Sequence, residues 1–292
     1  MFVIAPFFCL LARANMRKRL LYTVSLYNRD NLLFSMFRYK ADIIPVTLFF
    51  LYFLLDVYVY FTVSTLAFLL PYVAVSIVIK WFICAWNHHH QHVPTFSFPL
   101  MNRLLEVIYG FQTGIVWYAW VLHHNLGHHV NYRDQVLDES AWKSPKGEVY
   151  TALSYTTIVT MTAYYRAWKV GAKYPKIRSY FVSMCMIQLI LLIAILIYSP
   201  LSGFLIFALP MITGLILTVY TTYAHHTGLE SESHYESSYN ILSPLYNIIT
   251  GNLGYHTAHH MKWALHWSQL PEFHREISEH IAPRFYQKYT IL

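Results

Sequence analysis

The sequence is poor in charged residues. Only 12% of its 292 residues are Asp, Glu, Lys or Arg, and 56% are hydrophobic. Soluble domains usually carry about a quarter charged residues, so the shortage argues against a soluble protein and favours an integral membrane protein. The net charge of +7 fits contact with anionic lipid headgroups better than nucleic-acid binding. We therefore expect a lipid membrane and no nucleic acid among its partners.

Cysteine is scarce as well. The chain contains Cys9, Cys84 and Cys185, and no two of them form a CxxC pair. This excludes an iron–sulfur centre with cysteine ligands. Small apolar packing is the role we expect for these side chains.

Long apolar stretches are abundant. A hydrocarbon core of about 30 Å requires roughly 20 apolar residues in a helix, and four stretches meet that length: Ile43 to Val63, Leu66 to Trp86, Tyr180 to Tyr198 and Leu201 to Tyr223. Short uncharged links join the first to the second and the third to the fourth. The predicted fold is all-α, with four transmembrane helices in two hairpins.

A fifth apolar segment, Leu104 to Leu122, is weaker because it contains Glu106, Gln112 and two glycines. We interpret it as an interfacial or half-inserted helix; the alternative is a fifth span. Every Lys and Arg except Lys80 lies before, between or after the two hairpins. Such residues mark the cytoplasmic side, which favours four spans with both termini and the middle segment in the cytoplasm.

The chain is predicted to hold one membrane domain over residues 43–275. It would be preceded by a cytoplasmic segment, 1–42, and followed by a tail, 276–292. The first fifteen residues are too short to span, and the charges in "RKR" follow their apolar part, which is the reverse of a signal peptide. They could form an interfacial anchor, or Met16 could be the true start.

Histidine is concentrated in four groups. "NHHHQH" contributes His88, His89, His90 and His92, "HHNLGHH" contributes His123, His124, His128 and His129, "AHH" contributes His225 and His226, and "GYHTAHH" contributes His256, His259 and His260. In the predicted topology all four groups lie at one membrane edge. A single histidine there is usually structural, but four groups on one face indicate a metal centre in a cytoplasmic cap.

The spacing within these groups is that of metal ligands. Residues three and four apart lie on one face of a helix, so each group is expected to direct two or three rings at one point. Nine imidazoles are the predicted ligands: His88, His92, His124, His128, His129, His226, His256, His259 and His260. Nine exceed what one ion accepts, because first-row metals bind about four to six ligands. Two metal ions are therefore predicted.

Ligand type does not select the metal, since imidazole binds iron, zinc and copper. Neither the Glu-x-x-His pairs of carboxylate-bridged di-iron bundles nor the HExxH sequence of zinc proteases is present. Four further histidines are predicted to support the ligands or line the site: His89, His90, His123 and His225. Four others are expected on the soluble surface: His234, His266, His274 and His280.

These motifs resemble the histidine boxes of the membrane fatty acid desaturase and hydroxylase superfamily. The boxes stand here as His88-x3-His92, His124-x3-His128-His129 and His256-x2-His259-His260. "HHNLGHHV" and "YAHHTGL" are also similar to segments of alkane hydroxylases, which carry glutamate at the place of one histidine. That similarity puts the ninth ligand on His226. "GYHTAHHMKWALHWSQLP" is similar to the last box of bacterial desaturases.

The resemblance implies a non-haem di-iron centre that uses O2 to abstract hydrogen from an acyl chain in a tunnel between the hairpins. The product would be a double bond; hydroxylation and alkene-forming decarboxylation are alternatives within the superfamily. Electrons would come from a separate donor of ferredoxin, rubredoxin or cytochrome b5 type. A zinc-binding or non-catalytic membrane protein is the alternative from another class.

Overall fold

The computed structural model describes residues 36–287, and that part of the chain contains helices and isolated bridges but no β-strand. The long helices are α1 (Ile43–Thr62), α2 (Leu66–His92), α3 (Pro99–Thr113), α4 (Ala152–Val170), α5 (Pro175–Tyr198) and α6 (Pro200–His226). Shorter helices follow: α7 (Pro244–Thr250), α8 (His256–Met261) and α9 (Leu270–Ile277). The predicted interfacial anchor and start site lie outside the described residues.

Four helices are long and apolar enough to cross a membrane, as predicted: α1 with its short leading turn, α2, α5 and α6. Much of their surface faces outward; only 17% of the apolar window of α5 is buried inside the protein. In water such exposure would be unfavourable, whereas in lipid it is expected. Residues 63–65 join α1 to α2, and Ser199 alone joins α5 to α6, which confirms the two hairpins.

The helix boundaries differ from the prediction where histidines follow a span. α2 does not end near Trp86 but continues to His92, and α6 continues to His226. α5 begins at Pro175, ahead of the predicted Tyr180. Helical geometry persists here because buried contacts, and not only lipid, stabilise the additional turns. The histidines after each span are therefore held on rigid helix ends.

The fifth apolar segment is not one continuous helix. α3 ends at Thr113, and Gly114 has a φ of 71°. A Cβ on Gly114 would lie 1.9 Å from the carbonyl oxygen of Met211, so this left-handed turn against α6 requires glycine. After the turn, Val121–His128 forms a π-helical segment. Neither piece qualifies as a fifth span by length and composition.

A buried lysine joins the two hairpins through an ion pair and a hydrogen bond. Lys80 Nζ lies 3.0 Å from Asp56 Oδ2 and donates to the carbonyl oxygen of Ile206 at 2.8 Å. Asp56 and Lys80 are respectively 0% and 1% exposed. The Ile206 carbonyl belongs to a π-helical turn at Phe204–Ala208 in α6. Lys80 thus fixes α2 against both α1 and α6 beneath the histidines.

The short helices form a cap beside the ends of α2 and α6. α8 packs on α9 through Ala258, Leu270 and Phe273. The cap is also tied to the first hairpin, because Asp42 accepts hydrogen bonds from His266 and Trp267. Short 3₁₀ turns complete the described chain: Lys40–Asp42, Gly171–Lys173, His234–Glu236, Trp267–Gln269, Ser278–His280 and Pro283–Phe285.

Candidate metal centre

Five histidines from three elements form the first histidine group. They are His88 and His92 on α2, His124 and His129 at the π-helical segment, and His259 on α8. One ring nitrogen of each lies within 4.8 Å of the others. Nε2 of His88 is 2.9 Å from Nε2 of His124 and 3.0 Å from Nε2 of His92. All five side chains are largely or fully buried.

Four histidines form the second histidine group. Ring nitrogens of His128, His226 and His260 lie within 4.8 Å of one another. His256 joins them because its Nε2 is 3.0 Å from Nε2 of His226 and 3.2 Å from Nε2 of His260. The two groups together contain all nine histidines that were predicted to be ligands, and none of them lies elsewhere.

Two adjacent pairs of histidines are divided between the two groups. His129 belongs to the first group and His128 to the second, and likewise His259 and His260. Neighbouring helical residues point about 100° apart, so a doublet naturally faces two centres. This differs from the expectation that each box directs its rings at a single point.

The π-helical segment determines which residue of the second box joins His124. The N–H of His129 donates to the carbonyl oxygen of His124, five residues earlier, at 2.8 Å. Widening the turn by one residue places His124 and His129 on one face, with their Nε2 atoms 3.0 Å apart. An ordinary helical turn would instead have aligned His124 with His128, as the sequence predicted.

The spacing of the ring nitrogens fits bound metal ions. Metal–imidazole bonds are about 2.0–2.1 Å long, so neighbouring ligands of one ion lie roughly 3 Å apart. His88 Nε2 and His124 Nε2 each meet two other Nε2 atoms at about that distance. A ring nitrogen has one hydrogen or one lone pair, so hydrogen bonds between rings cannot satisfy this chain. Nε2 of His128 and of His259 is buried without a hydrogen-bond partner within residues 36–287.

Electrostatics keeps these rings in the form that binds metals. Burial, reinforced by neighbouring imidazoles, lowers the pKa of His124, His129, His256, His259 and His260 well below the ordinary histidine value. A neutral imidazole offers a lone pair, whereas a protonated one cannot bind a metal. These five rings therefore offer lone pairs to a cation.

A carboxylate and a backbone carbonyl orient two rings of the second group, and neither partner was predicted from the sequence. Nδ1 of His128 donates to both oxygens of Asp138, at 2.8 and 3.0 Å. Nδ1 of His226 donates to the carbonyl oxygen of Ser237 at 3.0 Å. Such partners fix the tautomer and orientation of a metal-binding histidine. The sequence signal that could have identified Asp138 is the presence of an acidic residue in the loop that follows the second box.

The four additional histidines of the boxes lie outside both groups. His225 stacks on His256 with ring centroids 4.1 Å apart, and its Nε2 meets the hydroxyl of Tyr246 at 3.1 Å. His89 Nε2 bonds the carbonyl oxygen of Thr250 at 3.0 Å. His225 thus supports a ring of the second group directly, while His89 fixes α2 to the cap.

His90 and His123 have contrasting surroundings. His90 Nδ1 meets Thr95 Oγ1 at 2.9 Å and its Nε2 lies 3.3 Å from Glu106. Nε2 of His123 is buried without a hydrogen-bond partner in the described chain. Burial also lowers the pKa of His123 to about 3. His123 is therefore a neutral polar group with one free position.

Two of the four histidines expected on the surface are buried, so that expectation is wrong for them. His266 is 1% exposed and bonds Asp42 Oδ1 at 3.1 Å, and His274 is 4% exposed among aromatic rings. Their burial depends on the folding of the cap, which no local pattern encodes. His234 and His280 are exposed, as expected.

Two adjacent cavities lie beside the histidine groups. The first lies between α2 and α6, one helix from each hairpin, and is lined by Trp81, Phe82, Cys84, Ala85, His88, Trp120, His124, His128, Thr218, Thr221, Thr222, His225, Tyr246, Thr250, Leu253 and His256. The second lies between α4, α6 and the π-helical segment. They share the lining residues Trp120, His124, Thr218 and Thr222. The first cavity thus borders rings of both groups.

The sequence matches a known protein family. A family model described as fatty acid desaturase matches residues 78–292. The chain belongs to the fatty acid desaturase family. The match includes every histidine of both groups but begins within α2, so α1 lies outside it. As a desaturase-family protein with four apolar helices, the chain is an integral membrane protein with an oxidoreductase-type site. No curated protein matches the sequence.

Proposed function

We propose that this protein is a membrane-bound, O2-dependent fatty acyl desaturase with two iron ions at its histidine groups. The observation that carries the proposal is the convergence of nine buried imidazoles into two clusters with metal-ligand spacing. Family membership supports the substrate class and the reaction type.

The proposed ligands divide into five and four. His88, His92, His124, His129 and His259 would hold one ion, and His128, His226, His256 and His260 the other. Both sets are within the usual range of about four to six ligands for first-row metals. Iron would supply the oxidising power needed to break an unactivated C–H bond, whereas zinc could only polarise or hydrolyse.

The chain's own residues position the substrate and keep water away. The wall of the first cavity is largely apolar, with Trp81, Phe82 and Leu253 opposite the histidines. Its hydroxyl groups are mostly engaged, because Thr221 and Thr222 donate to backbone carbonyls of α6. An acyl chain would therefore lie along an apolar surface that reaches His88 and His124.

Desaturation requires an external electron donor. Forming a double bond removes two hydrogen atoms from the chain, that is, two protons and two electrons, whereas reducing O2 to two water molecules consumes four protons and four electrons. A separate one-electron carrier of ferredoxin, rubredoxin or cytochrome b5 type would supply the remaining two. The membrane edge that carries the histidines would face the cytoplasm, in keeping with the Lys and Arg distribution.

Metal content and products test the proposal together. The protein, purified in mild detergent from a host without such products, should hold about two irons per chain and should convert acyl lipids to unsaturated products, identified by mass spectrometry. Hydroxylated products or terminal alkenes would identify the alternative reactions of the superfamily. Zinc without iron in an active preparation would refute the di-iron proposal.

The orientation has its own test. Tags at both termini and within residues 134–146 should be accessible from the cytoplasm, and a tag at Ser199 should be accessible only from the opposite side. If the tag within 134–146 shared the side of Ser199, the proposed cytoplasmic site would be wrong.

A further inference from the structure

Two ring nitrogens in the wall of the second cavity have no hydrogen-bond partner in the described chain. They are Nε1 of Trp120 and Nε2 of His123, and both atoms are buried. Both side chains line the cavity, and Trp120 is only 8% exposed. Oγ1 of Thr218, which lines both cavities, is buried without a partner as well. Buried polar groups are nearly always paired in native proteins, so these unpaired atoms on one cavity wall indicate a missing partner.

The chemistry of these atoms restricts that partner. An indole N–H can only donate, and the Nε2 of a neutral imidazole can donate or accept. The two tyrosine hydroxyls of the same wall are already engaged: Tyr155 donates to the carbonyl oxygen of Ser140 at 3.2 Å, and Tyr164 to that of Gly114 at 2.8 Å. The partner must therefore provide at least one acceptor, for which oxygen is the usual atom.

Much of the remaining wall is apolar, and part of the wall is shared with the first cavity. Ile115, Val159 and Leu215 line the second cavity, and Trp120 and His124 line both. A ligand with one oxygenated end and a long hydrocarbon chain matches this distribution. Its chain would pass from the second cavity, beside His124, into the first.

The charges nearby favour an electron-rich group at this end. Arg166 and Lys169 lie on α4, the helix whose residues Tyr155, Val159 and Tyr164 line the second cavity. Both also contact Glu139, with Lys169 Nζ 3.0 Å from its carboxylate and Arg166 donating to its carbonyl oxygen at 2.8 Å. The carboxylate of Glu139 offsets much of this positive charge, which suits a neutral carbonyl better than a free anion.

We propose that the second cavity binds the oxygenated end of the acyl substrate, with Trp120 Nε1 and His123 as hydrogen-bonding partners of its carbonyl group. The inference rests on the proposed function, because it assigns an end to the same substrate. Trp120 and His123 would be positioning residues, and the hydrocarbon chain would occupy the first cavity.

Paired ligands test this assignment through binding alone. Tritiated methyl palmitate and tritiated hexadecane share a hydrocarbon chain, but only the ester has a carbonyl group. Their binding to the iron-loaded protein in lipid nanodiscs would be measured by a scintillation proximity assay, with the iron content determined in every sample. Trp120→Phe keeps an aromatic ring and removes the N–H, and His123→Phe removes the imidazole.

Each variant should weaken ester binding by about tenfold, as expected for the loss of one hydrogen bond, and should leave hexadecane binding unchanged. Trp142→Phe is a matched control, because Nε1 of Trp142 is also buried and unpartnered in the described chain but lines neither cavity. It should change binding of neither ligand.

The outcomes separate this inference from the proposed function. Wild-type protein that binds neither ligand would overturn both. Wild-type protein that binds both ligands, with variants that lose ester and hexadecane equally or lose neither, would overturn only the assignment of the second cavity. Equal losses would indicate a purely steric effect, and no loss would indicate that water satisfies the two atoms.

Discussion

The two histidine groups are built from the same side chain but hold it in different ways. In the second group, Asp138 and the Ser237 carbonyl fix the rings of His128 and His226 through Nδ1. Nδ1 of His256 and His260 in that group, like Nδ1 of His88, His92 and His129 in the first, has no hydrogen-bond partner within residues 36–287. Those rings are oriented by helix geometry and packing, whereas two rings of the second group depend in addition on loop residues.

This difference predicts which substitutions disturb the rings of each group. Rings held by helix packing change position only when a helix moves, whereas a ring held by one hydrogen bond can rotate after a single substitution. Loop substitutions should therefore weaken the second group selectively. The predictions below test that asymmetry, from the largest expected effect to the smallest.

Removal of a ligand should have the largest effect. His128→Ala should abolish activity and lose iron from the second group, because a buried Nε2 is deleted. Iron content and product formation are the measurements. His280→Ala is the control; this exposed residue lies outside both groups, so iron and activity should be retained. Normal turnover by His128→Ala would contradict the ligand assignment.

Substitutions in the adjacent pair His225-His226 should distinguish a proposed ligand from the residue that supports it. His226→Ala should abolish activity. His225→Glu should retain a measurable fraction of it with iron bound, since a carboxylate can accept a hydrogen bond from Tyr246, which His225 now contacts. Loss of a supporting partner typically costs roughly 10- to 100-fold in affinity or activity. An active His226→Ala beside an iron-free His225→Glu would reverse the two roles.

Asp138→Asn should weaken metal binding at the second group alone, by roughly 10- to 100-fold. The amide can no longer offer two carboxylate oxygens to His128 Nδ1. Iron binding followed by Mössbauer spectroscopy should show one site depleted before the other. Asp134→Asn, in the exposed part of the same loop, is the matched control. Equal depletion of both sites by Asp138→Asn would remove the asymmetry between the groups.

The smallest effect should come from substitution of Glu106, whose carboxylate contacts His90 but no residue of either histidine group. Burial raises its pKa to about 9, although Arg103 opposes the shift. Because the folded protein binds this proton more tightly than the unfolded chain does, the associated stability is present at low pH and is lost as the pH rises from about 4.5 to about 9. Glu106→Gln should flatten that decline in Tm, measured in detergent. An unchanged slope would show that another group causes it.

The sequence was sufficient for the spans and for the nine clustered histidines because both depend on local patterns. Apolar length identifies a membrane helix, and four histidine groups at one predicted edge restrict where their side chains can meet. Hydropathy located each span to within a turn or two. It missed the extension of α2 to His92, since buried polar residues stabilise that end.

Features set by tertiary contacts could not be predicted in the same way. The turn at Gly114 depends on the close approach of Met211 in α6. No residue composition is typical of the π-helical geometry at His124, so the sequence did not predict that His124 pairs with His129. The burial of His266 and the contact of Asp138 with His128 likewise require segments distant in the chain to be placed first.

The two adjacent histidine pairs that are divided between the groups restrict the distance between the two sites. Consecutive Cα atoms are 3.8 Å apart across a trans peptide, and the structure contains no cis peptide bond in its described part. His128–His129 and His259–His260 each connect the two groups through one peptide unit. The intersite spacing is therefore set twice by covalent geometry and does not depend on how far the hairpins move apart. Thickening or thinning of the surrounding bilayer should tilt the spans while leaving that spacing almost constant.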